Sequence, residues 1–305
     1  MTLREWLEKG EAHLRMGPHP DRARRDAELL LLYVVRRERA ALLARWNEKL
    51  DEQEAARYVD LIERRRAGEP IQYILGETEF YGLPFRVTRD VLIPRPETEH
   101  LVEKVIALAA QFARPRIVDV GTGSGAIAIA LAHTLTSAEI TAIDLSAPAL
   151  AIAQENAARN GVDARVRFLR GNLLEPIAAA ADPVFPEIET RFDFVVSNPP
   201  YVPRTDRETL SVEVRDYEPA LALFAGDDGL EVYRRLIPAA FAALNSGGFI
   251  ALEIGFGQME AVAALLEASG YDNIDFTPDL QGIPRVACAQ RPSVLGVSGS
   301  RRIRR

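Results

Sequence analysis

From residue 2 to about residue 67 the apolar positions recur at helical spacing. Leu3, Trp6 and Leu7 form one such stripe, and Ala27, Leu30, Leu31 and Val34 form a second after Asp21. Asp51 followed by Glu54 reads as a helix start leading into Tyr58, Leu61 and Ile62. The pattern predicts a small all-helical domain over residues 1–75. Residues 78–93, TEFYGLPFRVTRDVLI, place aromatic and β-branched side chains around a Gly82-Leu83-Pro84 break, which predicts a β-hairpin in a linker spanning residues 76–96.

After Pro94 short apolar strands alternate with amphipathic helices. The series runs RIVDV, AIAIALAHTL, AEITAID, PALAIAQENAARN, RVRFLRG and FDFVVSN, then a helix from about residue 229 to 244, FIALEI, a helix near residues 258–269, and two late strands around Ile274 and Val286. Alternation of this kind predicts an α/β domain over residues 97–291, with a seven-stranded, mostly parallel sheet covered by helices on both faces. Residues 176–190, PIAAAADPVFPEIET, are proline-rich and are expected to form a mobile loop before the fourth strand. Residues 292–305 end in SGSRRIRR and are expected to be a disordered basic tail.

Composition narrows the function classes. A chain of 305 residues with 48% hydrophobic content can build two cores. Residues 1–75 carry 15 of the 37 basic and 14 of the 44 acidic side chains, so the net charge of −7 belongs to the larger domain. That balance disfavours a ligand held by neutralising many phosphates, and no direct nucleic-acid partner is expected. The single cysteine, Cys288, excludes an internal disulfide, and His13, His19, His100 and His133 have no metal-site spacing, so no metal is expected. The charged first residues lack the apolar run of a signal peptide, and no window approaches the ~20 apolar residues of a membrane span. A soluble, cytoplasmic monomer is the expectation.

Two segments carry candidate chemistry. Asp119-Val120-Gly121-Thr122-Gly123-Ser124-Gly125 ends the first strand of the α/β domain and opens a helix. Its glycines permit a tight turn and close approach of a ligand to the backbone. Asp144, 23 residues after Gly121, ends the second strand, where a carboxylate can accept from two ribose hydroxyls. The arrangement suits NAD and S-adenosylmethionine alike.

Asn198-Pro199-Pro200-Tyr201 follows the strand FDFVVS directly. Ligands of open α/β sheets bind beyond the carboxyl ends of the strands, so this loop and the glycine loop should face one crevice. A primary amide nitrogen is a poor nucleophile because its lone pair is delocalised, and catalysis must come from positioning. The Asn198 side-chain oxygen and the Pro199 carbonyl can each accept one N–H of a substrate NH₂, turning its lone pair toward a sulfonium methyl. Tyr201 can stack on the planar group and exclude water. The same tetrapeptide also suits the exocyclic NH₂ of an adenine.

With these motifs the chain resembles, over nearly its whole length, the N5-glutamine methyltransferases that modify peptide chain release factors. The resemblance rests on Gln72-Tyr73-Ile74 through Gly76, Glu79-Phe80-Tyr81-Gly82-Leu83, and Leu92-Ile93-Pro94-Arg95-Pro96-Glu97-Thr98-Glu99. It continues through the DVGTGSG loop, Asn198-Pro199-Pro200-Tyr201, Tyr217-Glu218-Pro219, Ala225-Gly226-Asp227-Asp228-Gly229-Leu230, and Asp279-Leu280 with Gly282 and Arg285. It implies a Rossmann-like S-adenosylmethionine-dependent methyltransferase domain joined by the hairpin to a helical domain that docks a release factor. By the same resemblance the cofactor is held by Asp119, by Gly121, Thr122, Gly123, Ser124 and Gly125 at its methionine end, by Asp144 at the ribose, by Asn172 and Leu173 at the adenine, and by Asn198; Asn172 stands where the family is often acidic. The tetrapeptide orients the glutamine of a Gly-Gly-Gln loop, with Arg95, Glu97 and Glu99 as substrate-side or interdomain residues, so that the activity modulates translation termination. The rival readings are an N6-adenine nucleic-acid methyltransferase, disfavoured by the charge balance, a nicotinamide dehydrogenase, which leaves the tetrapeptide unexplained, and a catalytically silent binding module.

Overall fold

The structure is a computed structural model describing residues 1–180 and 191–293. Residues 181–190 of the expected loop and 294–305 of the expected tail lie outside the described residues. The chain forms two compact units, Met1–Glu77 with Leu210–Tyr217, and Thr78–Thr209 with the chain from Glu218 onward.

The smaller unit holds helices α1 (Leu3–Leu14), α2 (Ala23–Val35), α3 (Arg39–Ala44), α4 (Glu52–Arg66) and α5 (Ile71–Leu75). Two of them begin as the sequence pattern requires: Thr2 with Glu5 and Asp51 with Glu54 form reciprocal capping boxes, satisfying backbone donors that a helix start leaves unpaired. Their apolar stripes meet in a core around Leu7, Leu30, Leu31, Tyr58 and Leu61. The Tyr58 hydroxyl, buried there, donates to the Ala27 carbonyl at 3.1 Å. Arg65 is also buried, and its guanidinium meets Asp26 at 2.6 Å and Glu213 of the returning segment at 2.5 Å.

In the larger unit β1 (Glu77–Phe80) and β2 (Leu83–Arg86) form the expected hairpin. Its two-residue turn needs the left-handed region twice, at Tyr81 (φ 53°) and Gly82 (φ 71°). The hairpin is fastened to the α/β fold: Phe80 and Phe85 lie in its core, and the buried Asn156 accepts from the Arg86 amide at 2.7 Å and donates to the Arg86 carbonyl at 3.0 Å.

The remaining elements are α6 (Glu99–Ala109), β3 (Arg116–Val120), α7 (Ala126–Thr134), β4 (Glu139–Asp144), α8 (Ala147–Arg159), β5 (Val166–Arg170), α9 (Glu175–Ala180) and β6 (Phe192–Ser197). They are followed by α10 (Val212–Tyr217), which belongs to the smaller unit, then α11 (Ala220–Leu223), α12 (Glu231–Ala243), β7 (Leu244–Glu253), α13 (Met259–Ala268), β8 (Asp272–Pro278) and β9 (Pro284–Gln290). The sheet order is β5-β4-β3-β6-β7-β9-β8. The first five strands of that order pair in parallel, whereas β9 pairs antiparallel with both β7 and β8. Apolar side chains cover both faces: α6 and α7 pack on one, α12 and α13 on the other.

One expectation is corrected. Residues 176–180 are not loop but the body of α9. Pro176 stands in the first helical turn, where its missing N–H has no intrahelical partner to lose, so proline does not mark a break there. Among the described residues no helix is long and apolar enough to cross a membrane.

Candidate functional site

The sheet order changes direction between β3 and β6, which opens a crevice at their carboxyl ends. The two candidate loops flank it. The Ser197 hydroxyl, at the end of β6, donates to the Val120 carbonyl at the end of β3 at 2.6 Å, tying the start of one loop to the start of the other.

Gly121, Gly123 and Gly125 all have positive φ, at 74°, 55° and 84°. Their surroundings differ. A Cβ on Gly121 or Gly123 would meet nothing within 4 Å, whereas one on Gly125 would come within 2.8 Å of Ile129 and 3.2 Å of Ala153. The first two therefore leave space for a ligand against the backbone, and the third lets α7 approach α8. Asp144 closes the loop from the side, its carboxylate accepting from the Gly123 amide and the Ser146 amide at 2.8 Å each. A carboxylate has about four acceptor sites, so Asp144 retains capacity for ribose hydroxyls.

Asp119 lies beneath the loop, fully buried, and accepts from the Thr122 hydroxyl at 2.6 Å and the Ala128 amide at 3.2 Å. Its other oxygen has no hydrogen-bond partner among the described residues. Burial pushes its carboxyl up to about 7 against these two donors. Asp119 thus shapes the loop from below and does not line the cavity.

That cavity, about 410 Å³, is bounded by Gly121, Gly123, Ser124, Asp144, Asn172, Leu173, Asn198 and Pro200, with Thr122 also in its wall. Its size suits a nucleoside-sized ligand. Asn172 donates to Glu175 at 2.9 Å at the start of α9. Leu173 adopts φ 52°. The cavity thus combines open backbone at two glycines, a carboxylate at the tip of the next strand and apolar wall beyond it, features that could hold a nucleoside-bearing cofactor. Pro199 is buried and Tyr201 is outside the cavity lining, as are Gly125, Arg95 and Glu97. Arg95 forms an ion pair with the buried Glu218 at 2.7 Å, and Glu99 accepts from the Tyr81 amide at 2.8 Å, holding the hairpin turn.

Behind the tetrapeptide runs a chain of polar contacts that converges on Glu253, a residue the sequence motifs do not single out. Asn198 Nδ2 donates to Thr98 Oγ1 at 3.1 Å, Thr98 Oγ1 donates to Glu253 Oε2 at 2.5 Å, and the Tyr201 hydroxyl donates to Glu253 Oε1 at 3.3 Å. Thr98 stands at the N-cap of α6, yet its side chain makes no capping bond. Glu253 ends β7, is 2% exposed, and burial raises its carboxyl to about 7. A lone carboxylate at the end of the apolar run FIALEI was the available signal. Gln258 completes the support, donating to the Tyr201 carbonyl at 2.9 Å and accepting from the Gly255 amide at 3.0 Å.

Residues 5–76 match the family described as the PrmC N-terminal domain, and residues 98–214 match the Methyltransferase small domain. The chain is 41% identical to the release factor glutamine methyltransferase of Koribacter versatilis, over 96% of this chain and 100% of that protein. It is 44% identical to the protein of the same name from Moorella thermoacetica, over 95% and 99%, and 41% identical to that of Bacillus subtilis, over 94% and 97%. Among solved structures, the hMettl16 catalytic domain in complex with MAT2A 3'UTR hairpin 6 aligns with a TM-score of 0.55 and 18% identity over 81% of this chain and 85% of that one, a likeness of fold alone. Two matching domains in the right order and relatives similar from end to end show that this chain belongs to the release factor glutamine methyltransferase family.

Proposed function

We propose that this enzyme transfers a methyl group from S-adenosylmethionine to the side-chain amide nitrogen, N5, of the glutamine in the Gly-Gly-Gln loop of class-1 peptide chain release factors, in the cytoplasm. The observation that carries the reading is Asn198 at the cavity wall, its NH₂ committed to Thr98 and its carbonyl oxygen left to accept. An acceptor fixed at that point selects a substrate with N–H donors.

When bound, S-adenosylmethionine supplies an electrophilic methyl on a sulfonium centre. Gly121 and Gly123 would offer open backbone to its methionine end, Asp144 would accept from its ribose, and Asn172 with Leu173 would bound the adenine. Asn198 Oδ1 and the Pro199 carbonyl each accept one substrate N–H, holding the nitrogen lone pair in line with the methyl. Both hydrogen bonds would strengthen as positive charge develops on nitrogen, which stabilises the transition state more than the bound substrate. As the N–C bond forms the methyl's bond to sulfur would break, the sulfur leaving as a neutral thioether, and the methylated nitrogen, now strongly acidic, would then lose one N–H proton to water. The Tyr201 ring, fixed through its hydroxyl and its carbonyl, stacks on the amide plane. The helical unit docks the body of the release factor, with Arg95 and Glu97 on the substrate side.

Transfer of labelled methyl from S-adenosylmethionine to a purified bacterial class-1 release factor, with duplex DNA as a parallel acceptor, tests the reading. Label in the release factor is expected; label in DNA alone would move the assignment to an N6-adenine methyltransferase.

A further inference from the structure

The tetrapeptide offers an acceptor only if the Asn198 amide is turned the right way, and an amide can flip. A Thr98 hydroxyl has one hydrogen. If Glu253 is ionised it must accept at both oxygens, so the Thr98 hydrogen is spent on Glu253 Oε2 at 2.5 Å. Thr98 can then only accept from Asn198, and the group it faces at 3.1 Å must be the NH₂. A protonated Glu253 could instead donate to Thr98, whose hydrogen would be free for Asn198 Oδ1, and the amide would flip to present NH₂ to the substrate.

We propose that Thr98 and Glu253 are positioning residues for the reaction: ionised Glu253 fixes the direction of the hydrogen bonds through Thr98 and so holds the Asn198 oxygen toward the substrate NH₂. The proposal rests on the role given to Asn198 above. Its geometry does not depend on which NH₂ is methylated.

The setting of Glu253 suits a group poised between its two forms. Burial disfavours its charge, Glu97 adds to that effect, and the Thr98 and Tyr201 hydroxyls and the Arg285 guanidinium act against it. Tyr233 of α12 donates to the Glu253 backbone carbonyl at 2.8 Å and holds the end of β7 in place. A purely structural buried acid would gain by remaining neutral. Here the carboxyl faces two hydroxyl donors, the arrangement that favours the anion.

The test uses the full-length ¹⁵N-labelled protein and follows the Asn198 side-chain NH₂ resonances, identified by their loss in Asn198→Asp, from about pH 5.5 to about pH 8.5. In parallel, kcat and KM are measured on the release factor. The NH₂ signals should titrate with a midpoint near that of Glu253, at about 7. Thr98→Val should abolish the titration and lower kcat at least ~10-fold with KM changed less than ~2-fold, whereas Thr98→Ser should restore both. Glu253→Gln cannot ionise and should remove the acid limb near neutrality from the NH₂ titration and from the kcat profile. Unchanged NH₂ signals in Thr98→Val, or an acid limb that persists in Glu253→Gln, would overturn the proposal. If the wild-type protein shows the expected NH₂ titration and transfers no methyl to a release factor, the positioning role stands and the substrate assignment falls.

Discussion

The Asp144 carboxylate accepts the Gly123 amide at 2.8 Å, so the tip of β4 holds the glycine loop that follows β3. One side chain thereby serves two ends: it fixes the loop and turns its spare acceptor sites into the cavity. Asp144→Ala removes both. S-adenosylmethionine affinity should fall at least ~30-fold, in line with loss of charge-assisted hydrogen bonds worth about 2 kcal/mol, and titration calorimetry measures it. An affinity within threefold of wild type would remove Asp144 from the cofactor site.

Gly123 and Gly125 should separate loop function from packing. Gly123→Ala meets open space and incurs mainly the left-handed backbone cost of about 1–2 kcal/mol, with the added methyl near the cofactor space. Gly125→Ala has the same backbone cost and also crowds Ile129 and Ala153, adding about 1–3 kcal/mol of overpacking. Thermal unfolding should therefore rank Gly125→Ala as the less stable variant. The reverse order would contradict the assignment of Gly125 to helix packing.

Stability should depend on pH through Glu253. Burial lifts its carboxyl in the folded protein to about 7, above the ordinary value of 4.5. The contribution to stability is thus fully present below the unfolded value and is lost as pH rises through about 7. Asp119, raised to about 7 by burial, has the same sign. Glu253→Gln removes one of the two dependences, so its melting temperature relative to wild type should rise between pH 5 and pH 8, roughly the span of the transition. Parallel curves would show that Glu253 does not titrate in this window.

In the helical unit Arg65→Ala takes the buried guanidinium from both Asp26 and Glu213. Loss of one partner from a buried ionic cluster costs about 3–5 kcal/mol, and denaturant unfolding should show it. A loss under about 1 kcal/mol would mean that the pairs are solvated.

Much of this was legible in the chain. The strands β3, β4 and β6 are short apolar runs that stop at Gly121, Asp144 and Asn198, because parallel strands buried on both faces must be apolar and must end where ligands bind. The capping boxes at Thr2 and Asp51 were equally local; the second was read directly. What was not legible is long-range. Thr98 and Glu253 are 155 positions apart, and only the sheet order brings the start of α6 to the end of β7. Helix α9 escapes the pattern for a different reason: the prolines of residues 176–190 suggest loop throughout, although one of them suits a first helical turn. The buried Arg65 likewise depends on Glu213, which returns to the helical unit from far along the chain.

The most direct test of the central claim is peptide mass spectrometry of a class-1 release factor after incubation with this enzyme and S-adenosylmethionine, compared with a release factor whose Gly-Gly-Gln glutamine is replaced by alanine. A single added methyl on that glutamine, absent from the replaced factor and from reactions with Asn198→Ala, is the predicted result. An unmodified glutamine with an active, cofactor-binding enzyme, or methylation that survives its replacement, would contradict the account.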